Sequence, residues 1–417
     1  MSKLSIVGDC PLFGETVIQG SKNAVLPMMA ATLLQEEICI LQNVPNIEDV
    51  QSAIDILKYL GAKILFCANE LIVDTSTITK TRIPHEYMEK MRSSILFMGA
   101  LLIRCGKAKA SKPGGCSIGA RPIDLHLDAF EQLGAKIIVE EDEIIAESSK
   151  LKPGICKFSF PSVGATENAL LIAAKMEGIC VLQNVAREPE VMELCWFLEE
   201  MGCKIEGIGT SCLIVHGTKN LHGITYQVSS DRIVAGTYLA ACVMARGEIC
   251  LRKCPVVFMR ETLRVFSQMG ASYMVYQDAL RFSMKKRPRA ITYLETAPYP
   301  KFPTDMQSIV MAVLTIADGN SCICEKIFEN RMGVVKSLKM MGAQITNNKT
   351  TAKIKGVSHL TSGPVVATDL RSGAALVVAG LGATGTTIID GYEHIARGYE
   401  DIVKDIGQLG GKGWMVE

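Results

Sequence analysis

A short motif that recurs six times strongly constrains what this chain can fold into. In each copy a helical pattern ends in Leu or Met, followed by Gly and a small residue, and neighbouring copies lie about 70 residues apart. The copies are Leu60-Gly61-Ala62, Leu133-Gly134-Ala135, Met201-Gly202-Cys203, Met269-Gly270-Ala271, Met341-Gly342-Ala343 and Leu409-Gly410-Gly411. A glycine at such a place is typical of the left-handed residue that ends a helix before a strand begins. The chain is therefore predicted to consist of six similar units.

Each unit has the same predicted order of elements, β-α-β-α-β-β. The opening extended segments are predicted at Glu15 to Gln19, Cys156 to Phe160, Ile224 to Val228, Ala290 to Glu295 and Pro364 to Ala367. The first helices are predicted at Ala24 to Leu34, Glu167 to Lys175, Ile233 to Ala245, Met306 to Ala317 and Ser372 to Leu381. Because these helices are apolar on nearly every face, they should lie inside, with the strands packed around them. The period alone does not distinguish one ring of six units from two groups of three.

Length, charge and hydropathy limit the class of protein. A chain of 417 residues with 48% hydrophobic content can build two ordinary domains or one repeated architecture. With 44 basic and 43 acidic residues the net charge is +1, so neither a nucleic-acid partner nor a polybasic membrane anchor is expected. Residues 1–9 have no apolar signal core, and the longest apolar runs fall short of the ~18 residues that a membrane span needs. These features predict a cytoplasmic protein.

The cysteines do not indicate a metal site or a disulfide framework. Their number, 15, is odd, and no CxxC pair occurs. Cys39, Cys180, Cys250 and Cys322 lie in comparable β-rich segments, so we expect them to be buried as small core residues. The sequence also has no Walker-type loop, no GxGxxG after a strand and no carboxylates at metal-binding spacing. No metal ion or cofactor is therefore predicted.

Cations gather at the predicted starts of the repeated helices. A helix N-terminus already favours anions, and an arginine at that place makes a phosphate or carboxylate site. We therefore expect a small polyanionic ligand bound between the units. Any one of these cations, taken alone, is also consistent with a solvated surface charge or a salt bridge instead of a ligand site. Asp305, taken alone, is also consistent with a helix cap. The residues concerned are Lys22, Arg92, Arg232, Arg371, Arg121, Arg187, Arg331 and Arg397.

One loop, from Lys112 to His126, combines several reactive features. Three glycines within six residues allow the backbone to approach a ligand closely, and Cys116 stands among them. Lys112 and Arg121 place a cation on each side of the thiol. The loop is typical of a lid that carries a reactive group, although composition alone is also consistent with a surface turn and an incidental cysteine.

This loop, together with Gly20-Ser21-Lys22-Asn23-Ala24-Val25-Leu26-Pro27, closely resembles the enolpyruvyl transferases that act on UDP-N-acetylglucosamine. Further matching motifs are Ser162-Val163-Gly164-Ala165-Thr166, Ala186-Arg187-Glu188-Pro189-Glu190, Phe302-Pro303-Thr304-Asp305-Met306-Gln307, Phe328-Glu329-Asn330-Arg331, Ala367-Thr368-Asp369-Leu370-Arg371 and Arg397-Gly398-Tyr399-Glu400. The similarity runs from end to end of the chain. Ala396, Met332 and Phe160 depart from the commonest pattern of the family, but none of them replaces an expected catalytic group.

The resemblance implies an α/β fold of two inside-out α/β barrels, each with three β-α-β-α-β-β units and the helices inside. One domain would be residues 22–229 and carry the Cys116 loop. The other would combine residues 1–21 with 230–417, and the active site would lie in the cleft between the two domains.

The resemblance also implies an activity. The family transfers the enolpyruvyl group of phosphoenolpyruvate to the 3-hydroxyl of UDP-N-acetylglucosamine and releases phosphate, in the first committed step of peptidoglycan synthesis for the cell wall. Both substrates carry several anionic groups, in agreement with the cations at the helix starts. Residues at the family's positions for phosphoenolpyruvate are Lys22, Asn23, Arg121 and Arg397, with Arg92 beside them.

The other site residues follow from the resemblance in the same way. Cys116 would donate a proton to the methylene carbon and be the target of fosfomycin, and Asp305 would remove a proton from the attacking hydroxyl. The implied catalytic set is Cys116, Asp305, Lys22 and Arg397. The implied contacts to the nucleotide sugar, and the further members of the site, are Arg121, Pro122, Ile123, Asp124, Leu125, Ser162, Val163, Gly164, Asp305, Ile327, Arg331, Asp369 and Arg371.

Two alternatives stay open. The sister transferase that acts on shikimate 3-phosphate shares the architecture, but it lacks this cysteine loop, and its glycine-asparagine signature is absent here. The chain could also be an inactive paralogue that binds nucleotide sugar or a regulatory partner. The presence of Lys22, Cys116, Arg121, Asp305 and Arg397 together argues against such a loss of activity.

The environment of Cys116 leads to a prediction about its reactivity. Lys112 and Arg121 should favour the thiolate in the free protein, whereas an arriving trianion should favour the thiol that is needed as an acid. We expect the curve of alkylation rate against pH to shift towards higher pH when phosphoenolpyruvate binds. Alkylation followed by mass spectrometry measures this curve, and identical curves with and without the ligand would contradict the prediction.

Overall fold

The structure, a computed structural model, describes residues 3–112, 123–148 and 151–416. Cys116, Arg121 and Pro122 lie outside the described residues. The chain forms two compact units, each with its own hydrophobic core. We call residues 20–112 with 123–229 the middle unit, and residues 3–19 with 230–416 the terminal unit.

The described residues form six four-stranded sheets with one common order. The first strand pairs in parallel with the second, the second pairs antiparallel with the third, and the third pairs antiparallel with an edge strand. In the middle unit the sheets are, in spatial order, Thr225–Gln227, Ile38–Gln42, Glu70–Asp74 and Lys63–Cys67; Arg82–Ile83, Lys107–Ser111, Glu143–Glu147 and Lys136–Val139; and Ile155–Lys157, Gly178–Gln183, Cys212–Gly217 and Lys204–Glu206.

The terminal unit repeats this arrangement. Its sheets are Leu12–Val17, Gly247–Arg252, Ala279–Met284 and Ser272–Tyr276; Leu294–Glu295, Asn320–Cys324, Thr351–Lys355 and Gln344–Asn347; and Pro364–Val366, Thr386–Asp390, Lys3–Val7 and Lys412–Val416. Leu360–Thr361 and Ala383–Thr384 add a two-stranded pair. The N-terminal strand therefore serves as the third strand of the last sheet.

Two strands pair in a different unit from the helix that follows them in the chain. Leu12–Val17 precedes the first helix of the middle unit, but it pairs with Gly247–Arg252 in the terminal unit. Thr225–Gln227 precedes the helix Arg232–Ala245 of the terminal unit, but it pairs with Ile38–Gln42 in the middle unit. At each of these two crossings, the last strand pairs in the unit that the chain is leaving, whereas the next helix belongs to the unit that the chain is entering.

Twelve of the described helices repeat with the units. The core helices, which come first in each unit, are Lys22–Ala31, Leu96–Cys105, Val163–Lys175, Arg232–Ala245, Gln307–Leu314 and Leu370–Leu381. The flanking helices, which come second, are Glu48–Leu60, Asp124–Gln132, Pro189–Glu200, Arg260–Met269, Val334–Met340 and Ile402–Gln408. Shorter helical segments are His85–Lys90, Tyr392–Ala396 and the 3-10 turns Thr32–Leu34, Arg92–Ile95, Val256–Phe258 and Thr304–Met306. None of the helices in the described ranges is long and apolar enough to cross a membrane.

The core helices are enclosed, as their composition predicts. Every residue of Leu370–Leu381 is buried, and so is every residue of Gln307–Leu314. The helices and strands lie where the sequence predicted them, but their first and last residues were predicted less accurately. The helix expected at 306–317 ends at Leu314, and the strand expected at 290–295 is confined to Leu294–Glu295. The interior position of the core helices is therefore confirmed.

The repeated glycines have the conformation expected of helix ends. Their φ angles are +113° at Gly61, +91° at Gly134, +108° at Gly202, +107° at Gly270, +89° at Gly342 and +86° at Gly410. These values lie in the left-handed region, which L-residues with a Cβ rarely adopt. The motif that defined the repeat in the sequence is thus the end of each flanking helix.

The burial predicted for four cysteines is confirmed for two of them and wrong for the other two. Cys39 and Cys180 are buried, but Cys250 and Cys322 are only half-buried. Cys250 alternates along its strand with the buried Ile249 and Leu251, so it faces the other side of the sheet. The prediction was wrong for Cys250 and Cys322 because composition identifies a strand but not which of its two faces a residue occupies.

Two of the glycines allow the cost of the left-handed conformation to be separated from the cost of a clash. A Cβ on Gly202 would lie 3.4 Å from the Asn220 carbonyl oxygen, which is an ordinary contact, whereas a Cβ on Gly61 would lie 2.6 Å from the Thr77 carbonyl oxygen. We expect Gly202→Ala to lower the free energy of unfolding by about 1–2 kcal/mol, the cost of the left-handed conformation. Gly61→Ala should cost more, because backbone must also move. Urea unfolding measures both, and equal losses would contradict this account.

Candidate active site

A carboxylate held between two arginines marks the candidate site in the terminal unit. Arg331 donates from Nη2 to Asp305 Oδ1 at 2.7 Å, and Arg371 donates from Nη2 to Asp305 Oδ2 at 2.8 Å. Both guanidinium side chains are buried, while the Asp305 side chain remains 25% exposed. The three predicted site residues come from the start of one core helix, the start of another and the segment before a flanking helix.

This arrangement determines the charges of Asp305 and Arg371. Burial raises the pKa of Asp305, but the charges and hydrogen bonds of Arg371 and Arg331 outweigh it and hold that pKa well below its usual range. Burial lowers the pKa of Arg371, but the nearby Asp305 carboxylate more than compensates, so that pKa lies above its usual value. Asp305 is therefore ionised and Arg371 is cationic at neutral pH.

A buried glutamate fixes the backbone around this site. Glu325 accepts hydrogen bonds from the Thr304 hydroxyl at 2.9 Å and the Thr296 hydroxyl at 2.8 Å. Its Oε1 also accepts from the backbone N–H of Ile327 at 2.8 Å. Glu325 thus joins the turn of Asp305 to the segment of Ile327, another predicted site residue.

Arg371 lies in the first turn of a capped helix, close to a buried tyrosine. Asp369 caps the helix Leu370–Leu381, because its Oδ1 accepts from the backbone N–H groups of Arg371 at 2.9 Å and Ser372 at 3.0 Å. The buried Tyr399 hydroxyl lies 2.7 Å from Thr237 Oγ1 and near the charge of Arg371. Burial raises the pKa of Tyr399 to about 12, although the nearby charge of Arg371 lowers it, so the phenol stays neutral. The structure therefore gives Asp369 a helix-capping role.

Arg397 follows the short helix Tyr392–Ala396 and is half-buried. The loop after it is held by one side chain, because Gln19 donates from Nε2 to the Gly398 carbonyl at 3.2 Å and accepts at Oε1 from the Glu400 N–H at 2.9 Å. Gln19 lies at the point where the chain leaves the terminal unit. It fixes the backbone that carries Arg397.

The middle unit holds a second set of predicted residues, beginning with Lys22 and Asn23. Lys22 opens a core helix and donates from Nζ to Asp49 Oδ2 at 2.8 Å, and both side chains are largely buried. Ser21 caps this helix by accepting from the Ala24 N–H at 3.3 Å. The half-buried Asn23 occupies the first turn of the same helix. The Lys22 amine is therefore held at a helix N-terminus, where anions are favoured.

His126 and Asn168 join three further predicted segments of the middle unit. Asn168 Nδ2 lies 2.8 Å from His126 Nδ1 and donates to the Ile95 carbonyl at 3.1 Å, while its Oδ1 accepts from the Gly99 N–H at 3.1 Å. A Cβ on Gly164 would lie 3.0 Å from the His126 ring. These contacts join the turn of Arg92, the half-buried segment Ser162, Val163 and Gly164, and the helix start at Ile123, Asp124 and Leu125.

Sequence reasoning missed the side chains that hold the predicted residues in place. Asp49 was not distinguished from an ordinary acid in a first helical turn, and Glu325 and Gln19 belong to no motif. The Thr-Glu-Asn sequence at 166–168 was the one available signal, because a polar triplet inside an apolar core helix requires buried partners. These supporting residues depend on contacts between distant segments, which a local pattern does not contain.

The predicted site residues of the middle unit and those of the terminal unit have similar chemistry. Each unit presents cationic side chains at the starts of its core helices, together with helix N–H groups, and this combination binds phosphate and carboxylate groups. The planar guanidinium of arginine matches the geometry of both carboxylate and phosphate groups. Such sites suit a substrate with several negative charges.

Comparison with known sequences decides the family. The profile of the family described as EPSP synthase (3-phosphoshikimate 1-carboxyvinyltransferase) matches residues 7–406. The chain therefore belongs to this family.

Relatives within the EPSP synthase family are similar over nearly their whole length. UDP-N-acetylglucosamine 1-carboxyvinyltransferase 2 of Caldanaerobacter subterraneus subsp. tengcongensis is 42% identical over 410 residues, which cover 98% of each chain. UDP-N-acetylglucosamine 1-carboxyvinyltransferase of Psychrobacter arcticus is 43% identical over 413 residues, again covering 98% of each chain. The resemblance predicted from the motifs is therefore confirmed.

A solved structure confirms the fold. The enolpyruvyl transferase NikO from Streptomyces tendae has a TM-score of 0.89, covering 100% of this chain and 99% of that chain at 23% sequence identity. The predicted fold class, with three-unit α/β barrels and the helices inside, is correct.

The buried ion triad gives a test of stability against pH. Asp305→Asn would leave Arg331 and Arg371 buried without a countercharge, so we expect it to lower the free energy of unfolding by about 3–5 kcal/mol at neutral pH. The lowered pKa of Asp305 stabilises the folded protein fully above the unfolded value of about 3.9, and this stabilisation is lost as the pH falls towards the folded value. The difference between wild type and variant should therefore shrink in acid.

The control for this test is Asp318→Asn, which removes an exposed carboxylate 3.6 Å from Arg287 in the same unit. An exposed pair contributes little, so this variant should unfold close to wild type at every pH. Urea unfolding across the pH range measures both variants. A similar loss for the two would show that the Asp305 triad has no special contribution.

Proposed function

We propose that this protein transfers the enolpyruvyl group of phosphoenolpyruvate to the 3-hydroxyl of UDP-N-acetylglucosamine, with release of phosphate. The observation that carries the proposal is the identity of 42–43% over 98% of the chain to UDP-N-acetylglucosamine 1-carboxyvinyltransferases. The proposed setting is the cytoplasm, at the first committed step of peptidoglycan synthesis. The substrates would bind in a cleft between the domain of residues 22–229 and the domain of residues 1–21 with 230–417.

Phosphoenolpyruvate would be bound by Lys22, Asn23, Arg121 and Arg397, with Arg92 nearby. The contact between Lys22 and Asp49 supports this role, because it holds the amine in place before an anion arrives. The contacts of Gln19 hold the backbone around Arg397 in the same way. Preorganised cations bind an anion without a further loss of side-chain freedom.

Asp305 would act as the base for the attacking hydroxyl. In the free protein its low pKa makes it a weak base, because two arginines stabilise its charge. The buried Nε of Arg331 has no hydrogen-bond partner among the described residues, so this donor of the guanidinium is not used to hold Asp305. An anion that engages Arg331 or Arg371 weakens their hold on Asp305 and raises its basicity. Substrate binding would thus activate the base.

Cys116 would supply the proton from the other direction. Protonation of the methylene carbon leaves an oxocarbenium-like centre, which the sugar hydroxyl attacks while its proton passes to Asp305. The resulting tetrahedral adduct then loses phosphate while the Cys116 thiolate left by the first step takes back a methyl proton, which restores the double bond. The residues of this chain provide one acid and one base, and the scheme uses no metal ion or cofactor.

The nucleotide sugar would contact Arg121 to Leu125, the segment Ser162 to Gly164, and Ile327. The half-buried, capped start of the helix Val163–Lys175 supports this assignment, since its N–H groups suit a diphosphate. Asp369 would act through the helix that it caps and that carries Arg371.

A phosphate-release assay tests the proposal. Phosphoenolpyruvate is supplied with either UDP-N-acetylglucosamine or shikimate 3-phosphate, the acceptor that the family description suggests as the second candidate. We expect release with the nucleotide sugar and none with shikimate 3-phosphate. Cys116→Ala and Asp305→Ala should each lower kcat/KM by about 10²- to 10⁴-fold, the contribution of a positioned acid or base.

Matched controls come from the same chain. Cys67→Ala removes an exposed thiol, and Asp318→Ala removes an exposed carboxylate, so both should retain wild-type release. Release with shikimate 3-phosphate alone would favour the second candidate. No release with either acceptor would favour a binding-only paralogue.

A further inference from the structure

One long stretch of the terminal unit contains basic residues and no acidic ones. Residues 330–368 include no Asp or Glu, although the chain of 417 residues has 43 of them. The cationic residues in this stretch are Arg331, Lys336, Lys339, Lys349, Lys353 and Lys355. Since acidic and basic residues are almost equal in number over the whole chain, this excess of positive charge is local. A local excess of this kind attracts anions.

The other units show that two of these lysines are particular to one flanking helix. Lys336 and Lys339 stand six and three residues before Gly342, the glycine that ends their helix. The residues at the same two places in the other units are Asp55 and Lys58, Asp128 and Glu131, Trp196 and Glu199, Arg264 and Ser267, and Lys404 and Gly407. None of these pairs consists of two lysines. The repeated fold therefore does not require the two lysines of Val334–Met340.

The same two lysines line an open cavity of about 520 Å³. They are three residues apart on the helix Val334–Met340, so they lie on one side of it. The hairpin turn at residues 347–349, which includes Lys349, also lines the cavity. None of the lining residues within the described part of the chain is acidic. A cavity of this size can hold a small molecule.

The protein does not neutralise the amino groups in this cavity. Lys336, Lys339 and Lys349 are exposed, and none of them forms an ion pair with a carboxylate of residues 3–112, 123–148 or 151–416. By contrast, Lys107 lies 2.7 Å from Glu147 in the middle unit. Like charges without a countercharge repel one another, so a bound anion would relieve this repulsion.

The hairpin turn adds a hydrogen-bond donor. Asn348 Oδ1 accepts from the backbone N–H groups of Thr350 at 3.0 Å and Thr351 at 2.7 Å. The acceptor of this amide is therefore used within the turn, while its Nδ2 donates to no other group in the described ranges. Amide N–H and ammonium groups are donors, and phosphate oxygens are acceptors.

We propose that this cavity binds a small molecule that carries two or more phosphate groups. Three ammonium groups from two elements match the several negative charges of a di- or triphosphate better than the single charge of a carboxylate. The site is separate from the Asp305 triad. Asn330 and Met332 also line the cavity, but Arg331 between them donates to Asp305. Binding in the cavity therefore does not depend on the proposed transfer reaction.

Competitive acetylation of the full chain tests whether phosphate groups bind at this place. Inorganic triphosphate at ten times its Kd should slow the acetylation of Lys336, Lys339 and Lys349 by up to about tenfold, because only the unoccupied fraction reacts. Lys58 and Lys404, exposed lysines at the equivalent places of other flanking helices, should react at unchanged rates. Mass spectrometry of the peptides measures each rate. No slowing at the three cavity lysines, or equal slowing at all five lysines, would overturn the proposal.

Calorimetry with inorganic triphosphate compares matched variants. The double variant Lys336→Gln, Lys339→Gln should bind triphosphate in the cavity about tenfold more weakly or less, because two charged contacts are lost. Any binding at the Asp305 triad should remain in this variant, so the two sites are distinguished. The control is the double variant Lys58→Gln, Lys404→Gln, which should bind like the wild type. Equal binding by the two double variants would contradict the proposal.

Unchanged circular dichroism shows that each variant is folded. If the double variant of the cavity does not fold, Lys349→Gln in the hairpin turn removes one of the three charges and gives the same test. Adenosine triphosphate serves as a second probe. Affinity equal to that of inorganic triphosphate would support recognition of the phosphate groups alone, and tighter binding would support a further contact to the nucleoside.

Vesicles of phosphatidylglycerol and phosphatidylcholine distinguish a small ligand from a lipid surface. We expect the wild type to bind both triphosphates in the cavity whether or not it binds these vesicles. Binding to the vesicles without binding of either triphosphate in the cavity would overturn the proposal and assign the lysines to an anionic membrane surface.

Discussion

The enclosure of six apolar core helices is the constraint on which the rest of the structure depends. These helices have no polar face, so sheets and flanking helices must cover them on all sides. A polar side chain inside such a helix, such as Asn168, needs buried partners, so groups open to a ligand lie at the helix ends. The predicted site residues Lys22, Arg92, Asp305 and Arg371 lie at or just before the starts of core helices. The packing that buries the helices therefore also determines where function can be located.

The charged residues at these helix starts are held by partners inside their own unit. Lys22 is bound by Asp49, and Asp305 is bound by Arg331 and Arg371. Burying charged groups is costly, and an ion pair recovers that cost only with good geometry and additional hydrogen bonds. The pairs in this protein meet that condition. They do not by themselves make the fold more stable than apolar residues would, but they fix the positions of groups that bind an anionic substrate in the proposed function.

Local patterns in the sequence predicted the repeat, the interior helices and the glycine helix ends, because each depends on residues close together in the chain. The faces of Cys250 and Cys322 were assigned wrongly, since composition does not give the phase of a strand. The partners Asp49, Glu325 and Gln19 were not predicted, because their contacts join segments far apart in sequence. The strands Leu12–Val17 and Thr225–Gln227 each pair with a strand far away in the sequence, so no local pattern predicted their partners. The roles of Cys116 and Arg121 rest on the resemblance and stay predictions.

The pairing of strands that are far apart in the sequence determines when each unit can fold during synthesis on the ribosome. The sheets of the middle unit can be completed once Thr225–Gln227 has been synthesised. The terminal unit has to wait, because Leu12 pairs with Gly247 and Leu4 with Ile389. The first residues to leave the ribosome are thus among the last to find their partners. Since closing long loops is slow, the nascent chain carries two unpaired strands during most of its synthesis, a period when pairing with other chains must be avoided.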